Sequence, residues 1–117
     1  MKGVNCEELR RGIELFNRGE FFEAHEVLED VWRAASLDHK KFLQGIVQLA
    51  VAFHHRSTGN LVGMRSVMER GIKNITDHPT DCCGLQVSKL KKSFAKWREA
   101  MDNGAEFTEA PHINLRD

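Results

Sequence analysis

The stretch Phe42-Leu43-Gln44-Gly45-Ile46-Val47-Gln48-Leu49-Ala50-Val51-Ala52-Phe53 decides the fold. Wound at about 100° per residue, its apolar side chains cover nearly the whole circumference of a helix. Such a helix belongs in the middle of a domain, with neighbours on several sides. Ser36-Leu37-Asp38 interrupts the pattern upstream, where Asp38 can cap the helix, and Ser57-Thr58-Gly59 stops it downstream.

Working towards the N-terminus, Asn5 and Glu8 have capping-box spacing, and Leu9, Ile13 and Phe16 mark one face of a first helix over about residues 6 to 17. Asn17-Arg18-Gly19 closes it, with Gly19 free to adopt the left-handed conformation, and a second helix follows over about residues 20 to 35. Towards the C-terminus, Asn60 caps a fourth helix whose stripe is Leu61, Met64, Val67, Met68, Ile72 and Ile75, and Pro79 marks its stop. Thr76 to Gly84 reads as a polar loop. Leu90, Phe94, Trp97 and Met101 form the stripe of a fifth helix, ended by Asn103-Gly104. The tail from Ala105 to Asp117 contains Pro111 and too few periodic apolar residues for another helix, leaving Ile113 and Leu115 as its contacts. A constant shift along the chain places Gly19 on Gly59, Glu20 on Asn60, Phe21 on Leu61 and Leu28 on Met68, which implies two similar helical hairpins. The fold class is therefore all-α: one domain over residues 1–117, a compact bundle of about five helices built from two hairpins plus a C-terminal helix. Its core spans about residues 5 to 101 and its tail is extended from 102 to 117.

Seventeen basic and seventeen acidic residues cancel. That balance removes the electrostatic signature of a nucleic-acid or anionic-membrane binder, so neither is expected as a partner. No apolar run approaches the roughly 20 residues that span a bilayer, and Met1-Lys2-Gly3-Val4-Asn5-Cys6 lacks a signal-peptide hydrophobic region, so a cytoplasmic location is expected. Cys6, Cys82 and Cys83 contain no C-x-x-C pair and are an odd number, which reads as reduced thiols with no cationic group evident beside Cys82 and Cys83. The basic stretch Lys89 to Arg98 reads as a solvated face, because its apolar stripe is needed by the core. Val27 projects away from the apolar arc of helix two and is the one candidate contact for a homodimer.

Helix two carries the first residues that invite chemistry. His25 and Glu29 lie about 40° apart on its surface, flanked by Phe21, Leu28 and Trp32 on one side and Phe22 on the other, so they border or enter the core. A buried carboxylate or imidazole costs several kcal/mol unless paired, so partners are expected elsewhere in the chain. Helix three supplies a second polar stripe in Gln44, Gln48 and His55. The expectation is that His25 and Glu29 meet Gln44, Gln48 or His55 across the interface of helices two and three, while His54 faces another neighbour. His25, Glu26, Glu29, Gln44, Gln48 and His55 then form one site.

Three readings of that site stay open. A polar network can simply fix helix register. A cleft between helices two and three can bind a small molecule or a protein segment without catalysis. Glu26 or Glu29 with the histidines can act as a metal-assisted or acid/base hydrolase. For a metal, His25, Glu29 and His55 are ligand types that suit a divalent ion such as zinc, iron or manganese. His25-Glu26-x-x-Glu29 lacks the second histidine of the zinc-protease motif, and the paired Glu-x-x-His motifs of di-iron bundles are missing.

From Phe16 through His25-Glu26-Val27-Leu28-Glu29-Asp30-Val31-Trp32, the Gln44-x-x-x-Gln48 pair, and His55 with Gly59-Asn60, the chain resembles a prokaryotic family of small helical proteins, domain of unknown function 309. The resemblance covers residues 8 to 101 and maps the family motif onto His25, Glu26, Glu29, Trp32, Gln44, Gln48, His55, Gly59 and Asn60. It implies a compact bundle of about five helices and brings no activity, substrate or cofactor. Met64 stands where the family usually has a small residue, which predicts a looser contact between helices three and four.

Overall fold

The computed structural model describes residues 3–77, 81–104 and 110–116. Five helices follow one another: α1 (Cys6–Asn17), α2 (Phe21–Ala34), α3 (Leu37–Ser57), α4 (Leu61–Thr76) and α5 (Val87–Asp102). Among the described residues there is no strand, only isolated bridges joining Cys82 to Leu85 and Leu85 to Leu115.

The two hairpins are closed by the same turn. The Gly19 N–H donates to the Phe16 carbonyl at 2.9 Å and the Glu20 N–H to that of Leu15 at 3.0 Å. Forward along the chain, Gly59 donates to Arg56 at 3.0 Å and Asn60 to His55 at 2.8 Å. Both are Schellman closures, which require a left-handed residue after the helix; Gly19 and Gly59 supply it with φ of 82° and 83°. The starts of the helices differ. Asn5 and Asn60 cap α1 and α4 by accepting from the Glu8 and Gly63 N–H groups, whereas α2 and α3 have no side-chain cap. Asp38 lies in the first turn of α3 and Ser36 occupies its cap position, so the helix begins earlier than the sequence pattern predicts.

Helix α3 is central, as expected. It packs along α2 and α4, and its Phe53 ring meets Phe16 of α1, Phe21 of α2 and Trp97 of α5 with centroids 5.0–5.7 Å apart. At the α3–α4 crossing a Cβ on Gly45 would fall 2.8 Å from the Gly71 carbonyl oxygen and 2.6 Å from Ile75 Cγ1. Two glycines thus let the helix backbones touch. Met64 is fully buried on α4.

Three further expectations are corrected. Cys6 and Cys83 are joined by a disulfide, and Arg10 donates to the Cys83 carbonyl at 3.1 Å, so a cationic group does stand beside the cysteines. The stretch Thr76 to Gly84 is not a purely polar loop, because Cys82 within it is fully buried; Pro79 lies outside the described residues. Val27, expected to project away from the packed side of helix two, is half-buried beside Gly12 of α1, where a Cβ would sit 3.4 Å from it. Of the tail, residues 110–116 are described. Ile113 is buried, and its N–H and C=O bond both ends of the Asn17 amide at 2.7 and 3.0 Å.

Candidate binding groove between α2 and α3

Helix α2 lies along α3 with opposite direction, since a short connection at residues 35 and 36 joins them. Two contacts fix the rotation. At one end Phe22 meets His54, ring centroids 5.7 Å apart. At the other, the Lys40 ammonium sits 4.8 Å above the Trp32 ring and donates to the Trp32 and Arg33 carbonyls in the last turn of α2. Helical geometry then places His25 and Glu29 on the α2 side of a groove and Val47 and Val51 on the α3 side. All four are half-buried.

Glu29 is satisfied along its own helix. Its Oε2 is 3.0 Å from His25 Nε2, and its Oε1 accepts from Arg33 Nη2. His25 and Glu29 side chains remain about 30% exposed, at 31% and 29%. Among the described residues no polar or charged residue is buried, so the desolvated site anticipated from the two stripes is instead a surface groove. Glu26 is exposed and lies beside His25 on the open face. Trp32 forms the far wall under Lys40.

The second stripe does not come to the first. No hydrogen bond or ion pair among the described residues joins His25 or Glu29 to Gln44, Gln48 or His55. Gln44 is exposed, and Gln48 Oε1 accepts from Asn74 Nδ2 of α4 at 2.8 Å. His55 is half-buried, and its carbonyl accepts from the Asn60 N–H and the Thr58 hydroxyl in the α3–α4 turn. Asn60 spends its side-chain oxygen on the α4 cap. His54, expected to face another neighbour, is the histidine that faces α2. The physical reason lies in α3 itself, which is apolar nearly all round and leaves the choice of face to packing. Among the described residues no group of three or more His, Cys, Asp or Glu side chains could hold a metal ion, so His25, Glu29 and His55 are not assembled as a ligand set.

Sequence reasoning missed the end of the groove. There a cleft of about 190 Å³ is lined by Gly19, Glu20, Phe21, Phe22, His54 and Ser57, with Glu23 at its edge. Phe22 is 57% exposed, and Leu61 and Val62, at the start of α4 on the same end of the bundle, are 46% and 84% exposed. The available signal was a pair of adjacent phenylalanines, only one of which can point inward from a helix. Exposed Glu20 and Glu23 line the cleft, Glu20 3.9 Å from Arg18, and exposed Glu26 follows Phe22 one turn along α2, outside the lining.

An "Uncharacterized protein" of Aquifex aeolicus (strain VF5) is 27% identical over 87 residues, which take in 74% of this chain and 26% of that protein. The "Uncharacterized protein YpuF" of Bacillus subtilis (strain 168) is 32% identical over 62 residues, 52% of this chain and 36% of its own. The chain thus spans about a quarter to about a third of the length of these curated relatives. A crystal structure of a conserved hypothetical protein from Thermus thermophilus superposes with a TM-score of 0.64 at 28% identity, covering 86% of this chain and 98% of that one. Residues 9–67, from α1 into α4 and including the whole groove, match the family described as "Domain of unknown function (DUF309)", and to that family the chain belongs.

Proposed function

We propose that the protein is a non-catalytic binding module that receives a segment of a partner protein in the α2–α3 groove, anchored by one apolar side chain in the cleft beside Phe22. The observation that carries this reading is the exposed Phe22 ring held against His54 at the mouth of the cleft. A cleft of about 190 Å³ falls short of the roughly 300–1,000 Å³ of drug-sized ligand sites, so it suits a side chain better than a whole small molecule. Exposed aromatic groups beside a pocket are the usual anchors of protein recognition. Glu20, Glu23 and Glu26 favour a segment whose apolar residue is flanked by Lys or Arg. The hydrolase reading has no specific support, because His25 and Glu29 pair with each other and with Arg33 along one helix. No helix of the described residues is long and apolar enough to cross a membrane. A cytoplasmic location is part of the proposal; thiol pools open most disulfides in that compartment, so Cys6–Cys83 would be an exchanging bond there.

The test uses two capped tripeptides, Lys-Phe-Lys and Glu-Phe-Glu, titrated into the isotopically labelled protein. The expected result is chemical-shift change centred on Phe22 and His54 with the basic peptide, weakened at least about tenfold, or 1.4 kcal/mol, by Phe22→Ala. Equal response to both peptides, or shifts remote from the cleft, would overturn the reading.

A further inference from the structure

All three cysteines meet at one place. Cys6 opens α1, Cys83 lies in the connector before α5, and the disulfide joins them across a sequence separation of 77. Cys82 is a fully buried thiol whose Sγ lies 3.9 Å from the Cys83 Sγ. Thiol–disulfide exchange needs a thiolate close to one sulfur of a disulfide and a leaving group that can carry charge. Here the Cys82 sulfur stands close to one sulfur of the bridge, and Cys6 is the leaving group. Cys6 and Arg10 share one face of α1, four residues apart, and the Arg10 guanidinium bonds the Cys83 carbonyl, which puts a positive charge beside the bridge.

We propose that these residues form an internal exchange centre in which Cys82 attacks the Cys83 sulfur, making a Cys82–Cys83 bond and releasing Cys6. The Cys82 thiol gives its proton to solvent base, its sulfur bonds Cys83, and the Cys6–Cys83 bond breaks. Cys6 leaves as a thiolate that takes a proton in turn. Nothing is oxidised or reduced overall, and no co-reactant is needed. Burial pushes the Cys82 thiol above its ordinary range, which keeps it protonated and makes the exchange slow until the connector loosens. The outcome is a switch in covalent topology: α1 is stapled to the connector in one state and carries a half-buried Cys6 thiol, open to an external thiol or disulfide, in the other.

Trapping decides the matter. The oxidised, native protein is held in mildly alkaline buffer with excess N-ethylmaleimide and no added thiol, then digested in acid and mapped by mass spectrometry. The expected product carries one maleimide on Cys6 and a Cys82–Cys83 bond, forming at a rate independent of protein concentration. Cys82→Ser and Cys82→Ala should stay unlabelled with the Cys6–Cys83 bond intact. Maleimide on Cys82 with Cys6–Cys83 preserved would overturn the proposal. So would a chain that remains unlabelled after a day, or a rate that rises in proportion to protein concentration. The wild-type measurement stands whether or not the variants fold.

Discussion

Glu29 Oε2 lies 3.0 Å from His25 Nε2 one turn before it, and its Oε1 accepts from Arg33 one turn after, which makes a three-residue polar chain along the wall of the groove. Arg33 is also 3.4 Å from Asp30. Part-exposed pairs of this kind contribute about 0–1 kcal/mol, because water already solvates the ions. Glu29→Gln is therefore expected to change the unfolding free energy by less than about 0.5 kcal/mol in urea titration. A loss of several kcal/mol would mean that the carboxylate is held in a desolvated network after all. Asn60 makes the useful contrast. Its amide caps α4 and satisfies the Gly63 N–H at 2.8 Å, so Asn60→Ala should cost about 1 kcal/mol while leaving peptide binding at Phe22 unaltered. The two residues thus separate by role, one lying along a groove and the other capping a helix. The capping role of Asn60 was legible from its place after Gly59, whereas the pairing of Glu29 along its own helix was not.

At the scale of elements, the sequence revealed the helices and their order but not their rotation about their own axes. The reason is physical. A helix with a narrow apolar stripe announces which side is buried, whereas α3 buries Phe42, Leu43, Ile46, Leu49, Ala50 and Phe53 around most of its girth. Its polar residues Gln44, Gln48 and His55 could then be assigned to α2 or to α4 with equal ease, and packing gave Gln48 to Asn74 of α4. The crossing that enforces this choice is made by Gly45 and Gly71. Glycines within a helix leave no periodic trace, so their contact was invisible until the backbones were placed. Gly19 and Gly59 were legible because a left-handed turn calls for glycine. An alanine at position 45 gains up to about 1 kcal/mol in helix propensity. Its Cβ would nonetheless lie 2.6 Å from Ile75 Cγ1 and 2.8 Å from the Gly71 carbonyl oxygen, and relieving such overpacking typically costs about 1–3 kcal/mol. Gly45→Ala should therefore destabilise the protein, and a neutral or stabilising result in urea would show that α3 and α4 can part without cost.

For the whole molecule the question is what holds the beginning of the chain to its end. Helix α1 packs on α2, yet it is also bound to residues far away in sequence: Cys6 to Cys83, Arg10 to the carbonyls of Cys83 and Arg116, and Asn17 to Ile113. Leu115 bridges Leu85, and the Arg116 N–H donates to the Gly84 carbonyl at 2.6 Å. The tail's two apolar contacts were readable as isolated apolar residues in a polar segment. The disulfide was not, since three cysteines without a spacing signature do not reveal their pairing. Closure of a loop with a sequence separation of 77 removes roughly 4–5 kcal/mol of chain entropy from the unfolded state in the loop-closure picture. Burial of Ile113, 1% exposed, adds about 1.5–3 kcal/mol from the tail. The expected outcome is that the double variant Cys6→Ser, Cys83→Ser loses about 4 kcal/mol in urea, and that deleting residues 110–117 from the oxidised protein loses roughly 3.5–5 kcal/mol, the Ile113 term plus the two Asn17 bonds at about 1 kcal/mol each. Both clamps hold α1 against the same connector, so combining the changes should depart from additivity. Once the bridge is gone, the tail and Arg10 carry more of the tie between α1 and the connector, and tail deletion should then be more damaging than in the oxidised protein. If the two losses simply add, the bridge and the tail secure α1 independently, and opening the bridge by exchange would leave the tail in place.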